Sequence, residues 1–297
     1  MTTEAVIETC RLTKSYGRHE AVRELNLSVP AGGITAFLGK NGAGKSTTIK
    51  MLLGMIAPTS GEGVMLGTRI GELENHRDCL RRVAYVAENM ALYRYMTVEQ
   101  MIRFARSFYP DWRESVAAEL LHVYSLPLDR KIKSLSKGMR TKLVLLLAFA
   151  RNPELLILDE PSEGLDPVAH EHLLQTLVTR SAEGVSIFVS SHQIAEIERI
   201  ADHVCVLDRG ALVLHASLDE LRQFYRRIDM VFARAPREEE FRVPGVERIQ
   251  IEDNQATIFT RWNTEEILER AKKLNAISVQ VEAIGLREIF LETVKER

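Results

Sequence analysis

The chain has 297 residues, 45% of them hydrophobic and 27% charged, with a formal net charge of −2. That composition excludes a disordered chain, and the near-neutral charge excludes a dominant nucleic-acid surface, which shows as a strongly basic domain. At roughly 150 residues per domain the length predicts two domains.

The N-terminal MTTEAVIETCRLTK lacks the basic start and apolar core of a signal peptide. The three cysteines, Cys10, Cys79 and Cys205, form no CxxC pair. They read as small buried residues in a reducing compartment, not as a disulfide framework or zinc site. Residues 5–29 read as short strands around the turn KSYGRHE. ITAFLG reads as a buried strand, followed by a Gly-rich loop and the helix TTIKMLLGM. PTSGEG is a turn cluster, and RRVAYVAE is another buried strand. From 97 to 150 the pattern is helical, with Val98, Met101, Ile102 and Ala105 and then Ala117, Leu120, Leu121 and Tyr124 at helical spacing. The longest apolar run, residues 143–150, is closed by Lys142 and Arg151 and falls far short of the ~20 residues that span a bilayer. LLILDE and VSIFVSSH are apolar strands, each followed by a helical segment. Strands alternating with helices predict a mainly parallel sheet covered on both faces.

After about Leu218 the character changes. Residues 218–227 read as a linking helix, ERIQIED and QATIFTR as half-buried strands around EDNQ, and TEEILERAKKLNA as an amphipathic helix. SVQVEA reads as a strand and LREIFLETV as a last helix. The predicted organisation is a domain over 1–217 with a helical subdomain at about 89–150, and a linker helix plus small α+β domain over 218–297.

Three motifs carry chemistry. GKNGAGKS, residues 39–46, fits the phosphate-binding loop G-x-x-x-x-G-K-[ST] between a buried strand and a helix. Its glycines Gly39, Gly42 and Gly44 let the backbone wrap closely, with Asn41 and Thr47 in the same cradle. The helix N-terminus adds its positive dipole end. Lys45 would reach the β and γ phosphates of ATP, and Ser46 would ligate Mg²⁺. LLILDE places two carboxylates at the C-terminal end of a core strand, where open α/β sheets bind ligands. Asp159 would hold Mg²⁺ through water, and Glu160 would activate or position the attacking water. His192 ends VSIFVSSH at the same sheet edge, beside the expected γ-phosphate, to which it could donate. His203, inside a strand-like segment, reads as packing. Tyr16 in KSYG is an aromatic on a loop that could stack on adenine; taken alone it reads equally as a half-buried turn tyrosine.

With these in order, the chain resembles the ATP-binding cassette (ABC) ATPases over about residues 4–216. LSKGM is similar to their LSGGQ signature, Tyr16 to the A-loop, SEGLD (Ser162, Glu163, Gly164, Leu165, Asp166) to the D-loop and His192 to the switch histidine. The resemblance implies a P-loop cassette with a β-rich N-terminal part, an inserted helical subdomain and two cassettes packed head to tail. Ser136 and Gly138 would then serve the partner's nucleotide, and Asp166 of the D-loop would be a further nucleotide-binding residue. Glu88 of YVAEN stands where the family has a Gln that touches Mg²⁺ and the attacking water, and its carboxylate adds negative charge there. Lys137, Met139 and Lys40 also depart from the pattern. The order of ALYRYMTVEQ, SFYPDW and KSLSKGM, and the tail, resemble the ATPase subunits of bacterial ABC-2 type exporters. That implies a separate integral membrane subunit, a second cassette as homodimer or heterodimer, no nucleic acid, and a place on the cytoplasmic face of the membrane. A soluble ABC ATPase acting in translation or DNA repair is the alternative, and usually carries two cassettes or a long coiled coil. A P-loop kinase would need an acceptor site, and none is visible.

Overall fold

The computed structural model describes residues 4–294 apart from 72 and 89, with the backbone alone for 73–76. The sequence-read limits at 1, 89 and 297 lie outside the described residues. The chain divides into two compact units, one ending at His215 and the other beginning at Ala216.

In the first unit the elements run β1 (Ala5–Tyr16), β2 (His19–Leu25), β3 (Ser28–Pro30), β4 (Ile34–Leu38), α1 (Lys45–Leu52), β5 (Ser60–Met65), β6 (Thr68–Arg69), α2 (Leu73–Arg82) and β7 (Val83–Val86). The helical stretch follows as α3 (Val98–Arg106), α4 (Glu114–Val123) and α5 (Lys137–Ala150). Then come β8 (Leu155–Asp159), α6 (Pro167–Ala182), β9 (Ser186–Ser191), α7 (Ile194–Ile197), β10 (His203–Asp208) and β11 (Ala211–Ser217). β1, β2, β3, β5 and β6 make an antiparallel N-terminal sheet.

The second sheet has the order β11-β10-β4-β9-β8-β7. Its pairings from β10 through β7 are all parallel. β4, β8 and β9 are buried at every residue, as expected of parallel strands covered on both faces. Phe37 and Phe188 lie on adjacent strands, fully buried, with ring centroids 5.1 Å apart. Phe188→Ala is expected to destabilise this unit by about 3–5 kcal/mol, as large-to-small core substitutions do. A urea melt reads this, and a loss under about 1 kcal/mol would show that the site repacks freely.

The register sets the site. Leu38 pairs with Ser191, Asp159 with Ser190, and Val86 with Leu158. The C-terminal ends of β4, β9, β8 and β7 therefore come out side by side, and the phosphate loop, the paired carboxylates and His192 all emerge from that edge. In the helical part, Thr97 and Gln100 form a reciprocal cap at the start of α3, and the Ser136 side chain accepts from Met139 N–H at the start of α5.

The second unit continues as α8 (Leu218–Phe224), β12 (Arg226–Val231), β13 (Val246–Glu252), β14 (Gln255–Thr260), α9 (Thr264–Lys273), β15 (Ser278–Ala283) and α10 (Leu286–Val294). Its sheet has the order β13-β14-β12-β15. Ile228, Met230, Ala256, Ile258, Ile267 and Ala271 belong to its own buried core.

Several readings need correction. The linking helix stops at Phe224, and the next residues form the inner strand β12. RRIDMV alternates Ile228 and Met230 inward with polar residues between, a period-2 pattern hidden behind a helix-like start. The turn cluster PTSGEG turns into strand at Ser60. There β5 bulges against β1, and a Cβ on Gly61 would stand 2.1 Å from the Arg11 carbonyl. The glycine marks close backbone approach within a strand pairing. Arg81 and Arg82 end α2 and do not start a strand. Tyr16 ends β1 and is not on a loop. Cys79 and Cys205 are buried, but Cys10 is exposed on β1. Among the described residues, no helix is long and apolar enough to cross a membrane.

Candidate active site

The phosphate loop turns from β4 into α1 with Gly42 at φ 81° and Gly44 at φ 109°. A Cβ on Gly44 would meet the Ala21 carbonyl at 2.4 Å, and one on Gly39 the Leu207 carbonyl at 2.5 Å. At Gly42 there is open space, so its role is conformational. Lys45 is 5% exposed. Its ammonium donates to the Gly39 carbonyl at 2.7 Å and lies 3.3 Å from Glu160 Oε1. The loop thus closes on its own lysine, which points toward the acidic strand end.

Asp159 is 2% exposed and accepts a 2.6 Å bond from Ser190 Oγ on the neighbouring strand. Ser190 also accepts from Glu160 N–H, through its carbonyl and its hydroxyl, both at 3.2 Å. One serine therefore fixes both acids. Glu160 sits at φ 51°, an uncommon left-handed backbone for a non-glycine residue. Its Oε2 lies 2.8 Å from His192 Nδ1 and accepts from His192 N–H at 3.3 Å. Its Oε1 is buried and makes no hydrogen bond. Lys45, Glu160 and His192 therefore form a continuous polar chain, Glu160 Oε1 facing the Lys45 ammonium and Oε2 facing His192.

These groups line an open cleft of about 670 Å³. The cleft gathers Tyr16, Asn41, Gly42, Gly44, Lys45, Ser46, Thr47, Glu88, Glu160 and His192 from the sequence reading. Gly39 and Asp159 are not among the residues that line it. The structure places Ser136, Gly138 and Asp166 elsewhere. Ser136 caps α5, Gly138 packs against the Gly164 carbonyl, and Asp166 caps α6 while pairing with Lys142 at 2.6 Å. The cleft also contains His19, Lys40 and Glu163, which the motif reading did not assign. Glu163 was visible only as one member of SEGLD, and Ser190 only as a polar residue in an apolar strand.

Burial, followed by the nearby Glu163 carboxyl, pushes Glu88 above the usual carboxylate range. Lys137, before any other cause, holds Glu163 below it. Among the described residues no group of three or more His, Cys, Asp or Glu gathers as a self-contained metal centre. Mg²⁺ in phosphate-loop sites is held by a hydroxyl and one or two carboxylates acting together with substrate phosphates and water. Ser46 and Glu88 line the cleft, and the Asp159 carboxylate is buried at the end of β8, a hydroxyl and two carboxylates of the kind such a site uses.

A phosphate loop on a helix N-terminus, with acids and a histidine at one edge of a parallel sheet, defines a P-loop nucleoside triphosphatase. A family model described as ABC transporter matches residues 22–163. The bacitracin transport ATP-binding protein BcrA of Bacillus licheniformis is 36% identical over 225 residues, 75% of this chain and 73% of that protein. The ABC transporter ATP-binding protein YtrB of Bacillus subtilis is 32% identical over 228 residues, 76% and 77% of the two chains. A solved ATP-binding subunit of an ABC transporter matches with a TM-score of 0.66 and 33% identity, over 73% of this chain and 92% of that one. The chain belongs to the ATP-binding proteins of ABC transporters, and it is an ATPase.

Proposed function

We propose that this chain is the ATP-hydrolysing motor of an exporter, working with a second cassette and a separate integral membrane subunit on the cytoplasmic face of the membrane. The observation that carries the hydrolytic part is the chain Lys45–Glu160–His192. Tyr16 stacks on adenine. Residues 39–47 wrap the phosphates with backbone N–H groups at a helix N-terminus. Lys45 leaves the Gly39 carbonyl for the β and γ phosphates. Glu160 takes the proton of the attacking water on the oxygen that Lys45 vacates, while His192 holds the other oxygen and donates toward the γ-phosphate. Ser46, Asp159 and Glu88 are the residues that would hold Mg²⁺, which when bound neutralises charge between the β and γ phosphates.

Ser136, Gly138 and Asp166 lie away from this cleft, which supports a role at the partner's nucleotide in a head-to-tail pair. ATP then bridges two chains, and hydrolysis removes the bridge. The likeness to a bacitracin transport protein supports export of a drug or peptide antibiotic over a lipid or polysaccharide. A net charge of −2 supports no nucleic-acid partner.

Affinity purification of the tagged chain from gently solubilised native membranes tests the proposal. The expected result is a multi-span membrane protein in comparable amount. Recovery from the soluble fraction alone, or with ribosomes or DNA, would replace the exporter motor with a soluble ABC ATPase.

A further inference from the structure

The loop between β8 and α6 touches two places at once. Its Glu163 lines the nucleotide cleft beside Lys45, Glu160 and His192. The same carboxylate is ion-paired and hydrogen-bonded to Lys137, the first residue of α5. The backbones behind this pair are in close contact, since a Cβ on Gly138 would stand 2.5 Å from the Gly164 carbonyl. Lys142, further along α5, pairs with Asp166 at the far end of the loop. Lys137 does not line the nucleotide cleft. It lines a neighbouring cavity of about 140 Å³ that shares Glu88, Glu160 and Glu163 with it.

A carboxylate in a polyphosphate site repels its ligand, and a paired cation cancels most of that repulsion. The cleft residue that Lys137 pairs with is Glu163. We propose that Lys137 is a positioning residue that sets the nucleotide affinity of its own chain's cleft by neutralising Glu163. This deepens the paired-cassette reading and, in its second half, rests on it. In that pair the start of α5 faces the partner's nucleotide. A phosphate arriving there competes with Glu163 for Lys137, uncovers the carboxylate and loosens nucleotide in the first cleft. The two sites share one cation, and binding at one opposes binding at the other. The lysine is a departure of this sequence within LSKGM, and the glutamate lies inside SEGLD.

The test uses the full chain at low concentration with fluorescent ADP and Mg²⁺, titrating the wild type, Lys137→Gln, Glu163→Gln and the double variant. Lys137→Gln is expected to weaken binding about three- to fivefold, the size of one partly exposed charge pair. The effect is expected to shrink at high salt. Glu163→Gln binds at least as tightly as wild type, and the double variant behaves as Glu163→Gln alone. Lys137→Arg, which keeps the charge, stays within twofold of wild type at about the precision of such titrations. Unchanged affinity in a folded Lys137→Gln, or an equal loss with and without Glu163, overturns the proposal. The paired reading fails separately, by the absence of ATP-driven dimers when Glu160 is replaced by Gln. That result removes the cross-site half and leaves the ADP experiment to decide the rest.

Discussion

Glu160→Gln is expected to bind ATP normally, to form ATP-dependent dimers, and to lose turnover by roughly 10²–10⁴-fold, the range for removal of a positioned general base. The amide keeps the size of the carboxylate. Gln tolerates the φ of 51° at this position as poorly or as well as Glu, so the loop geometry is not the variable. The amide oxygen can still meet His192. What disappears is a proton acceptor on the oxygen that is buried without a hydrogen bond. The negative charge 3.3 Å from Lys45 also disappears, which leaves the lysine freer for phosphate and favours the ATP-bound state. Phosphate release read beside sedimentation with ATP separates the two effects. Turnover at the wild-type rate would remove Glu160 from the role of base.

Much of this site was legible because its residues lie in contiguous motifs whose spacing is set by local backbone geometry. The phosphate loop needs positive φ at Gly42 and Gly44 and close approach at Gly39 and Gly44, which only glycine allows cheaply. LLILDE announces itself because a fully buried parallel strand must be apolar until it emerges. What stayed hidden depends on register between strands. Ser190 holds Asp159 and Glu160 only because β9 pairs with β8 with Ser190 opposite Asp159. Glu163 enters the cleft through the path of a loop, and neither periodicity nor composition reports that. The helix read through residue 227 failed at a boundary, because the three-residue step from Leu218 to Leu221 continues into RRIDMV without a glycine or proline to stop it. A negative charge at Glu88 was expected from sequence. Burial and the adjacent Glu163 raise that carboxyl above the usual carboxylate range, which the residue name alone does not report.

Lys45→Gln is expected to lower ATP affinity by at least 100-fold, with the fold retained. Two charge-assisted hydrogen bonds to phosphate at about 1.5–3 kcal/mol each account for that factor. The lysine is held ready for the task. Its ammonium is buried, donates to a loop carbonyl at 2.7 Å and faces a carboxylate only 11% exposed. Phosphate therefore replaces existing partners, and little new ordering of the side chain is needed. Lys45→Arg does not restore binding, because a planar guanidinium has neither the compactness nor the donor geometry of an ammonium in a space shaped by the Gly39 carbonyl and the Glu160 carboxylate. Removing the cation also leaves Glu160, among the described residues, with the His192 ring alone within ion-pair distance, so the folded state loses part of a largely buried pair. Breaking such pairs by removing one partner costs up to about 3–5 kcal/mol. The two losses are read independently, nucleotide affinity by titration with fluorescent ATP and stability by thermal melting without nucleotide. A folded Lys45→Gln protein that binds ATP within about threefold of wild type, under 1 kcal/mol by the usual conversion, would show that the backbone of the loop and the helix dipole suffice, and that Lys45 serves to anchor Glu160.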